Sequence, residues 1–285
     1  MKLSIITVNL NNATGLQKTI ESVVAQTWLD FELIIIDGAS LDGSVEVIQQ
    51  YSEAPLSNGD KLEGRLRWIS KPDSGVFQAM NKGIKMAKGE YLLFLNSGDF
   101  LVENHVLSLV FSFGFSVDIL CGRCRVSDNE KIIYITDPPE EFSLKNFYKT
   151  TLSHQSTFIK RTLFERFGLY REDLRLMSDW EFWIRTIILG YATTKTLNFI
   201  IADYNLDGIS SNENNFALSE KECEMVYNDL QLKNIIKDYD NWLKINKEME
   251  IAYWMKSKQV LYRLIQFVYF LVKSVSNIKK KWLKA

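Results

Sequence analysis

The chain of 285 residues is 46% hydrophobic and 24% charged, which is typical of a globular protein and excludes a disordered or fibrous one. Its length allows one large domain, or one domain with an appendage. A formal net charge of −1 argues against a dedicated nucleic-acid binder with a broad basic face, so we expect no nucleic-acid partner.

The first hundred or so residues alternate between apolar runs and amphipathic patterns. We expect strands at residues 3–8, 31–36, 66–69 and 91–95. A helical pattern follows each of the first three strands. A capping box from Thr14 to Gln17 opens the first helix, and Gly89 ends the third. Continuous apolar strands that alternate with amphipathic helices predict a doubly wound, mostly parallel α/β sheet with helices on both faces.

The order of elements is less regular after residue 101. We expect a helix near residues 105–113, two strands around 117–136 and shorter elements to about residue 201. From Ala217 onward the pattern is helical to the end. The sequence therefore predicts an α/β domain in residues 1–215 and a C-terminal helical extension in residues 216–285.

The cysteine content and the N-terminus favour a cytoplasmic protein. Three cysteines are too few for a disulfide framework, and Cys121 with Cys124 lacks the second pair that a zinc ribbon requires. The apolar run in "MKLSIITVNLNN" is too short for a signal peptide and is broken at Asn9. We interpret it as the first strand.

Polar side chains follow three of the predicted strands. Asn9, Asn11 and Asn12 follow the first strand, Asp37 follows the second, and residues 96–99 follow the fourth. Parallel sheets of this kind bind ligands at the carboxyl ends of their strands. The glycine-rich phosphate motifs of P-loop and dinucleotide-binding proteins are absent. Carboxylates and amides are instead the ligands of Mg²⁺ or Mn²⁺, which typically serve diphosphates.

Five ordered motifs resemble those of the family 2 glycosyltransferases. They are "SIITVNLNN", "QTWLDFELIIIDGASLDGS", "ISKPDSGVFQAMNKGIKMAKGEYLLFLNSGD", "LSHQSTFIKRTLFERFGLY" and "SDWEFWIRTIILG". The resemblance covers about residues 1–210. It implies a GT-A fold, a nucleotide-sugar donor, a divalent cation and inversion at the anomeric carbon. It also implies a nucleotide-binding half in residues 1–101 and an acceptor half in residues 102–215.

The resemblance implies a set of donor contacts in the first half. The end of the first strand would pack on the nucleobase and ribose, and Asp37 would accept hydrogen bonds from the base edge. Asp73 would make a polar contact near the base, with Asn81 supporting the same loop. The donor-binding residues that it implies are Thr7, Val8, Asn9, Asn11, Asp37, Asp73, Asn81, Asn96, Ser97 and Gly98.

The "NSGD" stretch corresponds to the family's acidic metal motif, and Asp99 matches the metal ligand. Asn96, Gly98 and Gln78 stand where the family often has aspartate. Glycine permits a tight turn there. Because one carboxylate holds a cation less strongly than several, we expect modest affinity for Mn²⁺ or Mg²⁺, with donor phosphates supplying much of the coordination.

Asp179 in "SDWEF" matches the family's catalytic base. Inversion in one displacement needs a carboxylate that removes the proton of the acceptor hydroxyl, while the cation offsets charge on the departing diphosphate. His154, Gln155 and Trp180 are expected to contact the donor sugar or the acceptor. Glu181 is a weaker candidate for the base.

Each of these residues also has a structural explanation. Asp37 before Gly38 could form a plain turn, and Asp179 could be a helix cap or first-turn residue. His154 could be a hydrogen-bonded structural histidine. The ordered set of motifs favours the functional interpretation.

The C-terminal segment is basic and apolar. Residues 251–285 contain eight Lys or Arg and no Asp or Glu, against 26 basic and 35 acidic side chains in the first 250 residues. Arg263 and Gln266 interrupt the run that a membrane-spanning helix would need. Apolar residues recur at seven-residue spacing, with others between them: Trp254, Leu261, Leu264, Val268, Leu271, Val275, Ile278 and Trp282.

Two interpretations of this tail remain. Residues 254–285 form either a basic amphipathic helix on an anionic bilayer, or a helix that packs on the chain's own body or mediates self-association. The absence of acidic residues favours a peripheral position on the inner face of the cell membrane.

The resemblance, together with the basic tail, therefore implies an inverting, metal-dependent glycosyltransferase of cell-surface polysaccharide assembly. We expect a nucleotide-sugar donor, with a UDP-sugar favoured, and a saccharide or polyprenyl-linked acceptor. A sugar-phosphate nucleotidyltransferase is one alternative, but "NLNNATG" after the first strand has no basic residue until Lys18. A membrane-tethered nucleotide-sugar binder without turnover is another, suggested by Gly98 and Gln78 and opposed by Asp99 and Asp179.

Overall fold

The computed structural model describes residues 1–273 except 54, 57, 60, 63, 115, 129–130, 149, 207–214, 259–261 and 271. The chain divides into two compact units, Met1–Cys223 and Glu224–Ala285. The division lies within a helix, α8 (Phe216–Asp229), and the boundary predicted between residues 215 and 216 coincides with the start of that helix.

The first half of the larger unit is the expected alternation of strands and helices. Its strands are parallel in the order β3-β2-β1-β4, and every residue of β1 and β2 is buried, which accounts for their continuous apolar character. The elements are β1 (Leu3–Asn9), α1 (Ala13–Val24), β2 (Phe31–Asp37), α2 (Ser44–Ser52), β3 (Leu66–Ser70), α3 (Val76–Met86) and β4 (Tyr91–Phe94).

The second half continues the same sheet with mixed strand directions. The elements are β5 (Phe100–Leu101), α4 (Val106–Ser112), β6 (Ile119–Asp128), β7 (Lys131–Ile135), α5 (Leu144–Phe147), β8 (Thr157–Lys160), α6 (Arg161–Phe167), α7 (Ser178–Trp183) and β9 (Thr194–Asn205). The full order is β3-β2-β1-β4-β8-β6-β9-β5, with β7 paired to β6. Strand β8 is antiparallel to both β4 and β6 and so joins the two halves.

Two predictions about helix ends were wrong. Helix α1 begins at Ala13, and its cap is Asn12, whose Oδ1 accepts a hydrogen bond of 3.0 Å from the Gly15 N–H, so Thr14 does not cap it. Helix α3 ends at Met86, before Gly89. A Cβ at Gly89 would lie 2.4 Å from the backbone nitrogen of Ser4, so close approach to β1 is what requires this glycine.

The smaller unit is helical. It contains the end of α8 and the long helix α9 (Lys233–Ser257), and residues 262–270 and 272–273 are also helical. None of the described helices is both long and apolar enough to cross a bilayer. The predicted repeat positions 261, 271, 275, 278 and 282 lie outside the described residues.

Candidate active site

The ends of β1, β2 and β3 are tied together by the carboxylate of Asp37. The parallel register sets Asn9 beside Asp37 and Asp37 beside Ser70. Oδ1 of Asp37 accepts from Asn9 Nδ2 at 2.8 Å and from Ser40 Oγ at 2.6 Å. Oδ2 accepts from Ser70 Oγ at 2.6 Å and from the Ser40 N–H at 3.0 Å. The polar strand ends therefore form one hydrogen-bonded layer, as their shared sheet edge predicts.

These bonds control the ionisation of Asp37. Burial alone would raise the pKa of this carboxyl, but the donors on Ser40, Ser70 and Asn9 together hold its pKa below the ordinary value. A carboxylate has about four lone-pair sites, and all of them are used here. A contact between Asp37 and a nucleobase would have to replace one of these bonds.

The other predicted residues of the first strand differ in accessibility. Thr7 and Val8 are buried, and so is Asn9, whose Oδ1 accepts no hydrogen bond within the described part of the chain. Asn11 is exposed, and its Oδ1 accepts a hydrogen bond of 2.9 Å from the Leu41 N–H. Asn11 is therefore the solvent-exposed member of this group, while the other three are buried at the strand end.

Helix α3 is fastened to the second half through Glu172, a residue that the sequence did not single out. The side-chain amide of the buried Asn81 donates through Nδ2 to Glu172 Oε1 at 3.0 Å and to the Tyr170 carbonyl at 2.9 Å, and its Oδ1 accepts from the Tyr170 N–H at 3.1 Å. Gln78 donates to Glu172 Oε2 at 3.1 Å. The predicted donor residue Asp73 forms an ion pair with Lys82. Asn81 and Gln78 therefore have structural partners that account for them.

The "NSGD" turn has the tight geometry that its glycine allows. Gly98 has a φ of +105°, which side chains rarely adopt. Thr19 on α1 holds the turn, since its Oγ1 donates to the Asp99 carbonyl at 2.7 Å and accepts from the Gly98 N–H at 3.0 Å. Asn12 Nδ2 donates to the Ser97 carbonyl at 3.0 Å. The sequence did not single out Thr19. The one indication in the sequence is that a threonine stands among the apolar positions of α1.

Asp99 lies almost completely inside the protein. Burial raises the pKa of its carboxyl to about 7, although the nearby His154 opposes this effect. Its Oδ1 accepts a 3.3 Å hydrogen bond from the Asn205 N–H at the end of β9. A carboxylate with a pKa this high is one that a cation or another charge partner would stabilise in its ionised form.

The surroundings of Asp99 fit a hard cation in part. Asn96 Oδ1 is buried and accepts no hydrogen bond from the residues that the structure describes, so it could serve as an oxygen ligand close in sequence to the Asp99 carboxylate. Within the described part of the chain, no group of three or more His, Cys, Asp or Glu side chains could hold a metal ion. Asp99 and Asn96 are therefore the residues that could hold Mn²⁺ or Mg²⁺, and a diphosphate would have to supply further ligands.

His154 connects this turn to Asp179. The imidazole Nδ1 lies 3.1 Å from Asp179 Oδ2, and Nε2 lies 3.4 Å from Asn96 Nδ2. Asp179 is the second residue of α7, and its Oδ1 accepts a hydrogen bond of 2.7 Å from the Trp180 N–H. The structure thus brings together three residues that the sequence had assigned to separate motifs.

The remaining predicted residues of this region are buried. Trp180 is 1% exposed and donates through Nε1 to the Phe147 carbonyl at 2.9 Å, so its ring is part of the interior. Glu181 is 2% exposed, and its carboxylate accepts hydrogen bonds from Arg185 Nε at 2.8 Å and Arg185 Nη2 at 2.9 Å. Gln155 is also buried. The geometry therefore favours Asp179 over Glu181 as a base, because the Glu181 carboxylate is already paired.

Comparison with known proteins identifies the chain. Residues 4–174 match the family model of glycosyl transferase family 2. The chain belongs to this family. A PGL/p-HBAD biosynthesis glycosyltransferase of Mycobacterium bovis BCG is 33% identical over 215 residues, which is 73% of this chain and 78% of the relative. An uncharacterized glycosyltransferase of Mycobacterium tuberculosis is 30% identical over 243 residues, which is 80% of this chain and 81% of the relative.

Solved structures share the GT-A fold of this glycosyltransferase. S. aureus TarS 1–349 in complex with UDP-GlcNAc aligns with a TM-score of 0.59 and 20% identity, covering 72% of this chain and 58% of that one. The mannosyltransferase PcManGT from Pyrobaculum calidifontis, in complex with GDP-Man and Mn²⁺, aligns with a TM-score of 0.52 and 15% identity, covering 71% and 56%. This chain spans 37% of the longer TarS structure.

Proposed function

We propose that this family 2 glycosyltransferase transfers a sugar with inversion from a nucleotide-sugar donor, with Asp179 as the catalytic base. The observation that carries the proposal is the polar connection from the "NSGD" turn through His154 to Asp179. It joins a turn expected to hold the donor diphosphate to a half-buried carboxylate expected to face the acceptor. These are the two groups that a single displacement requires.

In this mechanism Asp179 acts on the acceptor hydroxyl. The acceptor oxygen bonds to the anomeric carbon, the bond from that carbon to the diphosphate breaks with its electron pair, and Asp179 takes the hydroxyl proton. Oδ1 is held by the Trp180 N–H and Oδ2 by His154 Nδ1. Both contacts fix the direction of the carboxylate before the acceptor arrives, so that little reorganisation accompanies proton transfer.

The donor site is formed by the strand ends and the "NSGD" turn. Asp99 and Asn96 would hold Mn²⁺ or Mg²⁺, which when bound offsets the charge that develops on the departing diphosphate. The family and the Mn²⁺ in the PcManGT complex support a divalent cation. The TarS complexes with UDP and UDP-GlcNAc support a UDP-sugar as the donor. The GDP-Man bound to PcManGT makes a GDP-sugar the alternative to be tested.

The acceptor is a saccharide or a polyprenyl-linked saccharide of cell-surface polysaccharide assembly, and the enzyme works at the inner face of the cell membrane. Support comes from the smaller unit, where apolar side chains are exposed within the segment 251–285, which contains no acidic residue. Those that are at least half exposed include Ile251, Tyr253, Trp254, Leu264, Phe267, Val268, Tyr269, Phe270 and Val272. Self-association through 254–285 is the competing explanation for this surface.

A thermal-shift panel tests the donor assignment. UDP, GDP, CMP and dTDP are compared with and without Mn²⁺, because a ligand that binds only the folded state raises the melting temperature. We expect stabilisation by UDP that increases with Mn²⁺. Stabilisation by GDP alone would indicate a GDP-sugar as the donor in place of a UDP-sugar. No shift of the melting temperature with any nucleotide would contradict the proposed activity. The family match decides against the nucleotidyltransferase alternative.

A further inference from the structure

One buried carboxylate holds the loop that leads into α7. Glu222 on α8 is 3% exposed and accepts hydrogen bonds from three successive backbone N–H groups. Its Oε1 lies 2.7 Å from the Arg175 nitrogen, and its Oε2 lies 3.0 Å from the nitrogens of both Leu176 and Met177. Hydrogen bonds to an ionised acceptor are roughly twice as strong as neutral ones, so this contact fixes the loop firmly.

Helix α7 has no cap of its own that could fix the same loop. Its capping residue is Met177, which makes no side-chain hydrogen bond to the helix start. Asp179 follows only two residues later, so its position depends on how residues 175–177 are held. Glu222 instead holds the three residues that lead into the helix, which a capping side chain at Met177 would not reach.

Strand β9 and helix α8 each contact one part of the proposed mechanism. At the end of β9, the Asn205 N–H bonds to Asp99. Further along, Glu222 bonds to the loop before Asp179. Glu222 lies outside residues 4–174, which match the family model.

We propose that Glu222 is a positioning residue for catalysis, which sets the direction of the Asp179 carboxylate through the backbone of residues 175–177. This inference rests on the proposed role of Asp179. Without the Glu222 carboxylate, three buried or half-buried N–H groups lose their acceptor, and the loop must move to find others. The donor-binding strand ends are formed by other elements, so nucleotide binding remains.

The test compares Glu222→Ala and Glu222→Gln with wild type and with Glu220→Ala. Glu220 is exposed on the same helix and carries the same charge, so it controls for electrostatic effects. Sugar transfer and nucleotide affinity are measured well below each melting temperature, on protein shown to be folded by its tryptophan fluorescence. Misplacement of a catalytic group by about 1 Å can cost ~100-fold in rate.

We expect Glu222→Ala to lower kcat by ~100-fold while the nucleotide affinity and the donor KM stay within about twofold, with Glu222→Gln intermediate because one acceptor oxygen remains. Unchanged kcat would overturn the proposal, and so would a parallel loss of nucleotide affinity, which indicates general damage to the fold. If wild type itself transfers no sugar from any donor, the proposed function fails first, and that result is seen before any variant is compared.

Discussion

The imidazole of His154 lies between Asn96 and Asp179, with Nδ1 3.1 Å from the Asp179 carboxylate and Nε2 3.4 Å from the Asn96 amide. Both ring nitrogens are therefore engaged by side chains from different parts of the sheet edge. Asn96 follows β4 and Asp179 is the second residue of α7, 83 positions later in the sequence. His154 lies in a short helical turn just before β8, and this turn fixes the main-chain position from which the imidazole reaches both residues.

This link predicts a selective effect of changes at His154. His154→Ala removes a hydrogen bond to Asp179 and should lower kcat by ~10–100-fold, since a general base contributes ~100–10,000-fold when correctly placed. His154→Asn, which keeps a donor near the position of Nδ1, should recover part of the loss. Steady-state kinetics check this expectation. His105→Ala is the matched control, because His105 is the other histidine of the chain and is exposed.

Asp99→Asn should separate nucleotide binding from its dependence on the cation. The substitution keeps the shape of the side chain and removes its charge, so Mn²⁺ should no longer increase the affinity for UDP. Calorimetric titration of UDP with and without Mn²⁺ measures the difference. Asp128→Asn on the exposed end of β6 serves as the control. An unchanged response to Mn²⁺ in Asp99→Asn would remove Asp99 from the cation site.

Asp37 should make stability depend on pH in the acid range. The pKa of Asp37 is lower in the folded protein than in the unfolded chain, so its contribution is present above the unfolded value near 4 and is lost as pH falls through the folded value. Asp37→Asn leaves at least one buried donor without an acceptor and should cost about 1–3 kcal/mol at pH 7. The difference from wild type should shrink below about pH 4.

Urea unfolding at pH 7, 5, 4 and 3 measures this difference, with the exposed Asp30→Asn as a control. A gap between wild type and Asp37→Asn that stays constant down to pH 3 would show that the charge of Asp37 is not what stabilises the strand ends.

The tail should bind anionic membranes. A variant that lacks residues 254–285 should remain in solution when mixed with vesicles rich in phosphatidylserine, whereas the full chain should cosediment. Because basic residues near such a surface contribute about 1 kcal/mol each, binding should weaken as salt is added. Cosedimentation of the shortened chain would contradict the tether, and a concentration-dependent dimer of the full chain would support self-association instead.

The sequence predicted the main elements of the nucleotide-binding half, residues 1–101, because apolar runs and helical periodicity are local signals. The apolar runs of β1 and β2 reflect burial on both faces, and the family resemblance drew attention to Asn96 and Asp179 in two separate motifs. The contacts of Glu172 and Glu222 were not predictable, since their partners are 91 and 45 residues away in sequence. Nothing in a local pattern indicates which glutamate will accept hydrogen bonds from a distant part of the chain.

The role of Asp37 shows a second limit. Its position at the end of a buried strand predicted that it would lie at the carboxyl edge of the sheet, where the structure places it beside Asn9 and Ser70. The number of hydrogen bonds that Asp37 accepts from the protein depends on the register of three parallel strands and on the loop that carries Ser40. A resemblance that assigns a residue to a ligand does not reveal how many of its hydrogen bonds are already made.

The most direct test of the account is the behaviour of Asp179→Asn, measured as sugar transfer and as UDP affinity on the same folded preparation. The substitution preserves the size of the side chain and removes its ability to accept a proton. We predict that transfer falls by at least ~100-fold while the affinity for UDP changes by less than about twofold. Transfer at the wild-type rate would contradict the assignment of Asp179 as the base, and loss of UDP binding would show that its role is structural.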